Sequence, residues 1–211
     1  MKRLLFICSI LFLVSCQSAY YSTMEKFGIE KRDILVDRVE EAKESQEDAQ
    51  KQFSSALDQF IQLTNYDGGE LQKVYENLKE QFESSQDSAG RVSARIDKVE
   101  TVADDLFIEW QQEMKKYSND KLRRDSQKKF TDTKRRYSSL LKAMRKAESK
   151  MAPVLTAMQD NVLYLKHNLN ASAISGLNVE FGNIKQDIDQ LINEMNIAIK
   201  QSNEFIATMK N

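Results

Sequence analysis

Apolar residues recur along this 211-residue chain at alternating steps of four and three. The mean period is about 3.5 residues, which is typical of helices whose apolar seam faces neighbouring helices. The pattern holds over four runs, 35–63, 71–117, 130–165 and 174–209. Only a few seam positions are polar, among them Gln46, Glu113 and Asn161. The spacing therefore predicts four long amphipathic helices.

Three interruptions separate these runs. Residues 65–69 read Asn-Tyr-Asp-Gly-Gly, and Gly and Asn adopt the left-handed conformations that end helices. The small, polar residues of 168–176 predict the third turn. Between them, 118–120 offers capping residues where the seam changes register, so a turn and a stutter within one helix both fit. Pro153 lies inside the third run and predicts a kink or a local break.

Helices joined by short turns pack antiparallel, so the chain is expected to be all-α. We predict one elongated, antiparallel, coiled-coil-like bundle of about four long helices, as a single domain over 29–211. At 1.5 Å per residue the outer helices should measure about 50–55 Å and the inner pair about 65–75 Å, so the inner hairpin should overhang. The same heptads are satisfied within one chain or between two chains. One Pro and six Gly are too few for the turns of a β-sandwich.

The amino terminus has the organisation of a secretory signal peptide. Residues 1–3 (Met-Lys-Arg) form a basic start, and 4–14 is an apolar run. That run is too short to cross a bilayer as a helix, which takes about 20 residues. We therefore expect this segment to act as a targeting signal and not as a membrane-spanning helix.

Residues 13–16 (Leu-Val-Ser-Cys) resemble the lipobox of bacterial lipoproteins. The resemblance implies that Cys16 carries a covalent lipid, that 1–15 is removed, and that 16–28 is a lipidated tether. Gln17 after the cysteine favours the outer membrane over the inner membrane, facing the periplasm. The alternative is that Cys16 merely ends an ordinary signal peptide or a buried helix.

Several stretches resemble an uncharacterised family of proteobacterial lipoproteins, known as domain of unknown function 2959. They are 24–28 (MEKFG), 31–36 (KRDILV), 39–42 (VEEA), 105–110 (DLFIEW) and 163–171 (LYLKHNLNA). The family has no assigned activity. The resemblance therefore implies an architecture and a location, and no mechanism.

The formal net charge of −1 hides two oppositely charged halves: 17–114 sums to −11 and 115–211 to +8. Residues 115–136, here called the basic tract, carry +7 and lie at the expected end of the inner hairpin. A basic segment beside an anionic leaflet is attracted to it. We therefore expect a second membrane contact there. Its candidate residues are Lys121, Arg123, Arg124, Lys128 and Lys129. The alternative is a solvated turn paired with the acidic half.

The residues that could carry catalysis are sparse. His167 is the only histidine, and a solvated or capping role at a helix end competes with a metal-ligand or general-base role. The paired carboxylates are expected on the wet face, although such pairs can bind divalent ions; they are Glu40–Glu41, Asp104–Asp105 and Glu109 with Glu113. Met144, Met151 and Met158 form a stripe that favours core packing over an apolar binding surface. We expect no enzyme, no metal and no cofactor beyond the lipid.

These features favour a lipid-anchored, periplasm-facing helical scaffold or partner-binding element of the cell envelope. The expected partners are the membrane and an envelope protein or a second copy of the chain. The alternative is a binding module for anionic lipid or polyanion at the basic tract. Nucleic-acid binding fits the charge but not the compartment.

Overall fold

The computed structural model describes residues 30–64, 71–168 and 177–210, and these form four helices. The helices are α1 (Lys31–Thr64), α2 (Leu71–Met114), α3 (Asp120–His167) and α4 (Asn178–Lys210). The described residues contain no strand, so the all-α prediction is confirmed. The predicted signal peptide, Cys16, the tether, the 65–69 turn and the turn beyond Asn168 lie outside the described residues.

The helices pack as a four-membered ring. Helix α1 lies against α2 and α4, and α3 also lies against α2 and α4. One continuous hydrophobic core fills the centre, and it contains most of the predicted seam residues of every helix. Glu113 and Tyr117 at the end of the second run are exceptions, because both are exposed. Fully buried examples are Phe53 in α1, Ile96 in α2, Met144 in α3 and Ile188 in α4. The antiparallel bundle predicted from the heptads is therefore the observed fold.

The interruption at 118–120 is a true turn between two helices. Helix α2 ends at Met114, and α3 starts at Asp120 with Asn119 as its N-cap. The Asn119 side-chain oxygen accepts hydrogen bonds from the backbone nitrogens of Lys121 at 2.9 Å and Leu122 at 3.2 Å. Those donors have no partner inside the helix, so the cap stabilises the new start. The stutter interpretation is wrong.

Helix α3 continues through Pro153, so the predicted local break does not occur. Proline removes one backbone hydrogen bond, which costs several kcal/mol in an isolated helix. Met151 and Val154 on either side are buried in the core at 2% and 0% exposure, while Pro153 itself faces solvent. Packing of the flanking residues therefore holds the helix together across the missing bond.

The inner helices are longer than the outer ones, as predicted. Helices α2 and α3 have 44 and 48 residues, against 34 in α1 and 33 in α4. The excess lies at the end where α1 begins, because Lys31 Nζ lies 3.1 Å from Glu109 Oε1 near the end of α2. Glu30 and Lys31 also share a surface depression with Trp110 and Lys129. The start of α3 therefore projects roughly 15 Å past α1.

Candidate functional site: the projecting tip

The end of the α2–α3 hairpin, residues 115–129, is here called the tip. Every residue in it is exposed except Ser126, which is half-buried. The core resumes at Phe130 in α3 and ends at Met114 in α2. The tip is therefore a protrusion beyond the packed bundle, built by the Asn119 cap and the first turns of α3.

All five candidate cations proposed from the sequence, Lys121, Arg123, Arg124, Lys128 and Lys129, lie on the tip and are exposed. Within the described part of the chain, most cations of the basic tract have no ion pair. The side chains without an ion pair are Lys115, Lys116, Lys121, Arg124, Lys128, Lys129, Lys134 and Arg136. Arg123 and Arg135 pair only with Asp120 and Asp132 on their own helix. The tip thus presents concentrated positive charge to solvent.

The predicted alternative, pairing of the tract with the acidic half of the chain, is not what the described residues show. The two halves are instead joined by Arg145, farther along α3. Its guanidinium lies 2.7 Å from Asp97 Oδ1 and 2.5 Å from Glu100 Oε2, both in α2. Burial lowers the pKa of Arg145, but hydrogen bonds to Glu148, Glu100 and Asp97 raise it above its ordinary value overall. Sequence reasoning did not single out this arginine.

An aromatic cluster forms the base of the tip. The rings of Phe107 and Trp110 each lie 5.6 Å from that of Phe130, edge to face. Tyr137 extends the cluster at 5.4 Å from Phe107, and burial is the main cause that raises the pKa of its hydroxyl. Trp110 Nε1 also donates to Ser126 Oγ at 2.9 Å. These contacts hold helices α2 and α3 together where the core ends.

Apolar side chains are exposed among the cations. Leu122 is 52% exposed and Tyr117 is 40% exposed. Together with Trp110, Lys128 and Lys129 they line a cleft of about 700 Å³. Leu122 falls between two heptad runs, so the seam analysis passed over it. An apolar residue surrounded by cations was the signal that could have found it.

The other sequence candidates lie elsewhere and are not brought together. His167 is exposed as the last residue of α3, so its predicted place at a helix end is confirmed. Glu40 pairs with Lys43, and Glu41 lies 2.5 Å from Arg95 and 2.7 Å from Arg38. The described residues contain no group of three or more His, Cys, Asp or Glu that could hold a metal ion.

The remaining sequence predictions concern packing. The stripe of Met144, Met151 and Met158 lies in the core, as predicted. Glu113 is exposed near Trp110 at the end of α2, which explains a carboxylate at a seam position. None of the described helices combines the length and apolarity needed to cross a membrane.

The chain matches the model of a known protein family. No curated protein and no solved structure is significantly similar to the chain. The family model described as a protein of unknown function, DUF2959, matches residues 20–209. That range includes α1, α2, α3, the tip and all of α4 except its last residue. The chain therefore belongs to the DUF2959 family.

Proposed function

We propose that this protein is a lipid-anchored, non-catalytic helical scaffold of the bacterial cell envelope, facing the periplasm from the outer membrane. The observation that carries the proposal is the lipobox-like sequence at 13–16, which lies a short tether ahead of a long bundle. Two or three acyl chains hold a protein at a bilayer almost permanently. The bundle then holds its surfaces at defined distances from that bilayer, which suits the assembly of envelope proteins.

Metabolic labelling tests the anchor directly. A palmitate analogue supplied to cells should label the wild-type chain, and the chain should fractionate with the outer membrane. Cys16→Ala should abolish both labelling and membrane retention, because the thioether requires the thiol. Cys8→Ala is the matched control, since Cys8 lies in the segment expected to be removed, and it should change neither. Labelling that survives Cys16→Ala would contradict the proposal.

Crosslinking in intact cells tests the scaffold role. A photoreactive amino acid at Ile197, which is 50% exposed on α4, or at Leu163, which is 47% exposed on α3, samples two faces of the bundle. We expect a discrete crosslinked band that contains an envelope protein or a second copy of the chain. Crosslinks to lipid alone from both positions would contradict a scaffold.

A second candidate function is binding of an anionic lipid or polyanion by the tip. The observation that favours it is the set of unpaired cations on a protrusion that has no other packing role. Binding of the chain 17–211 to heparin and to anionic vesicles should fall steeply with salt, because screening weakens exposed charges. The variant R123Q/R124Q/K128Q/K129Q should lose this binding.

A charge-matched control separates the tip from net charge. Lys73, Lys98, Lys142 and Lys166 are exposed and have no ion pair among the described residues. Replacing all four with Gln removes the same charge from the bundle body. That variant should retain most of the binding; equal losses in both variants would show that net charge and not the tip is responsible.

A further inference from the structure

We propose that the tip is an interfacial membrane element, in which Tyr117 and Leu122 enter the headgroup layer of an anionic phospholipid bilayer while the surrounding cations contact the phosphates. The proposal deepens the second candidate function and rests on it. The occupant of this surface is a phospholipid bilayer. Charge attraction alone does not account for the exposure of the two apolar residues.

The composition of the surface is the first argument. A purely electrostatic site for a polyanion needs no exposed leucine, yet Leu122 is 52% exposed between Lys121 and Arg123. Tyr117 is 40% exposed in the turn that precedes α3. Aromatic rings and leucines on a basic segment are the combination that binds at the boundary between headgroups and acyl chains.

The rigidity of the base is the second argument. The edge-to-face contacts of Phe130 with Phe107 and Trp110, together with the Trp110–Ser126 hydrogen bond, fix the hairpin below the exposed residues. Asn119 fixes the turn between Tyr117 and Leu122 by capping α3. The apolar residues are therefore presented in a preformed arrangement, which lowers the entropy lost on binding.

The position of the chain ahead of α1 is the third argument. Lys31 begins α1 beside Glu109, so the preceding residues enter the bundle at the end that carries the tip. The 15 residue steps from Cys16 to Lys31 can span at most about 54 Å when fully extended. A lipid on Cys16 therefore keeps the start of α1 within that distance of the bilayer, and the tip projects from the same end.

Trp110 provides a built-in reporter of this contact. It is the only tryptophan of the chain, and it lines the same cleft as Tyr117 and Leu122. The chain 17–211, which contains the whole described core and lacks the lipid, is mixed with vesicles of phosphatidylcholine with or without phosphatidylglycerol. We expect a blue shift of the emission with the anionic vesicles alone. Lipids brominated on the acyl chains should quench it, whereas heparin should cause neither effect.

Two pairs of substitutions decide between insertion and surface charge. Tyr117→Ser with Leu122→Ser should weaken vesicle binding about tenfold, and it should leave heparin binding unchanged. Leu163→Ser with Tyr164→Ser is the matched control, since those residues are 47% and 44% exposed at the other end of α3. The control pair should bind vesicles as the wild type does, and Leu122→Phe should retain binding. Circular dichroism checks that every variant keeps its helix content.

The outcomes separate this proposal from the one on which it rests. One outcome is that R123Q/R124Q/K128Q/K129Q loses vesicle binding while the double variant of Tyr117 and Leu122 keeps it in full. That outcome would overturn insertion and would leave an electrostatic site at the tip. Quenching by brominated lipid together with the tenfold loss supports insertion. Absence of vesicle and heparin binding by the wild-type chain would overturn both.

Discussion

Two arginines on helix α3 illustrate the two parts of this molecule. Arg145 lies in the bundle body, where its guanidinium bridges to Asp97 and Glu100 of α2 and to Glu148 of its own helix. Arg124 lies on the tip, where it is exposed and has no ion pair within the described chain. The two residues have the same chemistry and the same secondary structure. They differ in their surroundings: α2 places Asp97 and Glu100 against Arg145, whereas no carboxylate of the described chain pairs with Arg124.

The same contrast holds for the apolar residues. In the body, seam residues such as Leu140 and Met158 are fully buried, so removal of apolar surface from water stabilises the fold. On the tip, Leu122 lies on the same helix but outside the hydrophobic core, and about half of its surface remains exposed to water. The body therefore uses its side chains for stability, whereas the side chains of the tip are available for contacts outside the chain.

The largest expected effect separates the two parts by stability. Leu140→Ala should lower the free energy of unfolding by about 2–5 kcal/mol, because it leaves a cavity in a closed core. Leu122→Ala should change it by less than about 0.5 kcal/mol, since Leu122 is already half exposed and its removal leaves no closed cavity. Urea denaturation followed by circular dichroism measures both. A large loss in Leu122→Ala would show that the tip is packed and would contradict the comparison.

Substitution of Gln46 tests whether the bundle body already has the greatest stability that its core allows. It is fully buried in the seam of α1, and neither its amide nitrogen nor its amide oxygen has a hydrogen-bond partner among the residues that the structure describes. Gln46→Leu should therefore raise the free energy of unfolding by about 1–2 kcal/mol. Gln52→Leu is the control, because Gln52 Nε2 donates to Gln81 Oε1 at 3.0 Å, and it should bring no gain. An altered oligomeric state in Gln46→Leu would instead assign Gln46 a role in register.

Substitution of Arg145 or of Arg124 should have a smaller effect on the free energy of unfolding. Arg145→Met keeps most of the aliphatic stem but removes contacts to three carboxylates, and it should cost about 1 kcal/mol, because these groups are partly exposed and screened. The loss should shrink at high salt. Arg124→Met should have no measurable effect on thermal unfolding. Equal effects of the two substitutions would contradict the division into body and tip.

The smallest expected effect concerns the cap. Asn119→Ala removes the side-chain acceptor for the nitrogens of Lys121 and Leu122, and it should cost about 0.5–1 kcal/mol. The effect should be local, so hydrogen exchange should speed up at the start of α3 and not around Met144. Asn119→Asp, which keeps an acceptor, should restore protection.

Much of the fold could be predicted from the heptad pattern. Predicted seam residues from Leu35 to Phe60 in α1, and from Leu177 just before α4 to Met209 within it, are all buried. The spacing was sufficient because a helix that keeps an apolar seam over many turns can bury it only against other helices. Of the kink or local break predicted at Pro153, the break does not occur, since the local rule for proline takes no account of the packing of Met151 and Val154.

The candidate site was predicted less completely. The basic tract and its five candidate cations are visible in the sequence, and the structure places them on a protrusion. Leu122 was not proposed for the site, because an isolated apolar residue carries no periodic signal, and Tyr117 was instead assigned to the apolar seam at the end of the second run, although it is 40% exposed. The bridging role of Arg145 was also missed, since an ion pair between helices depends on which residues the fold places opposite each other.

The sequence by itself determined four amphipathic helices, their approximate lengths and a concentration of positive charge near the middle of the chain. These properties follow from the order of residues along the chain, because helical periodicity and local charge do not depend on contacts with other helices. Only the tertiary structure decided that 118–120 is a turn, that α3 runs unbroken through Pro153, and that the tip projects beyond the core. It also decided that most cations of the basic tract have no ion pair within the described chain. Each of these depends on the balance between local preference and packing against other helices, and that balance exists only in the folded bundle.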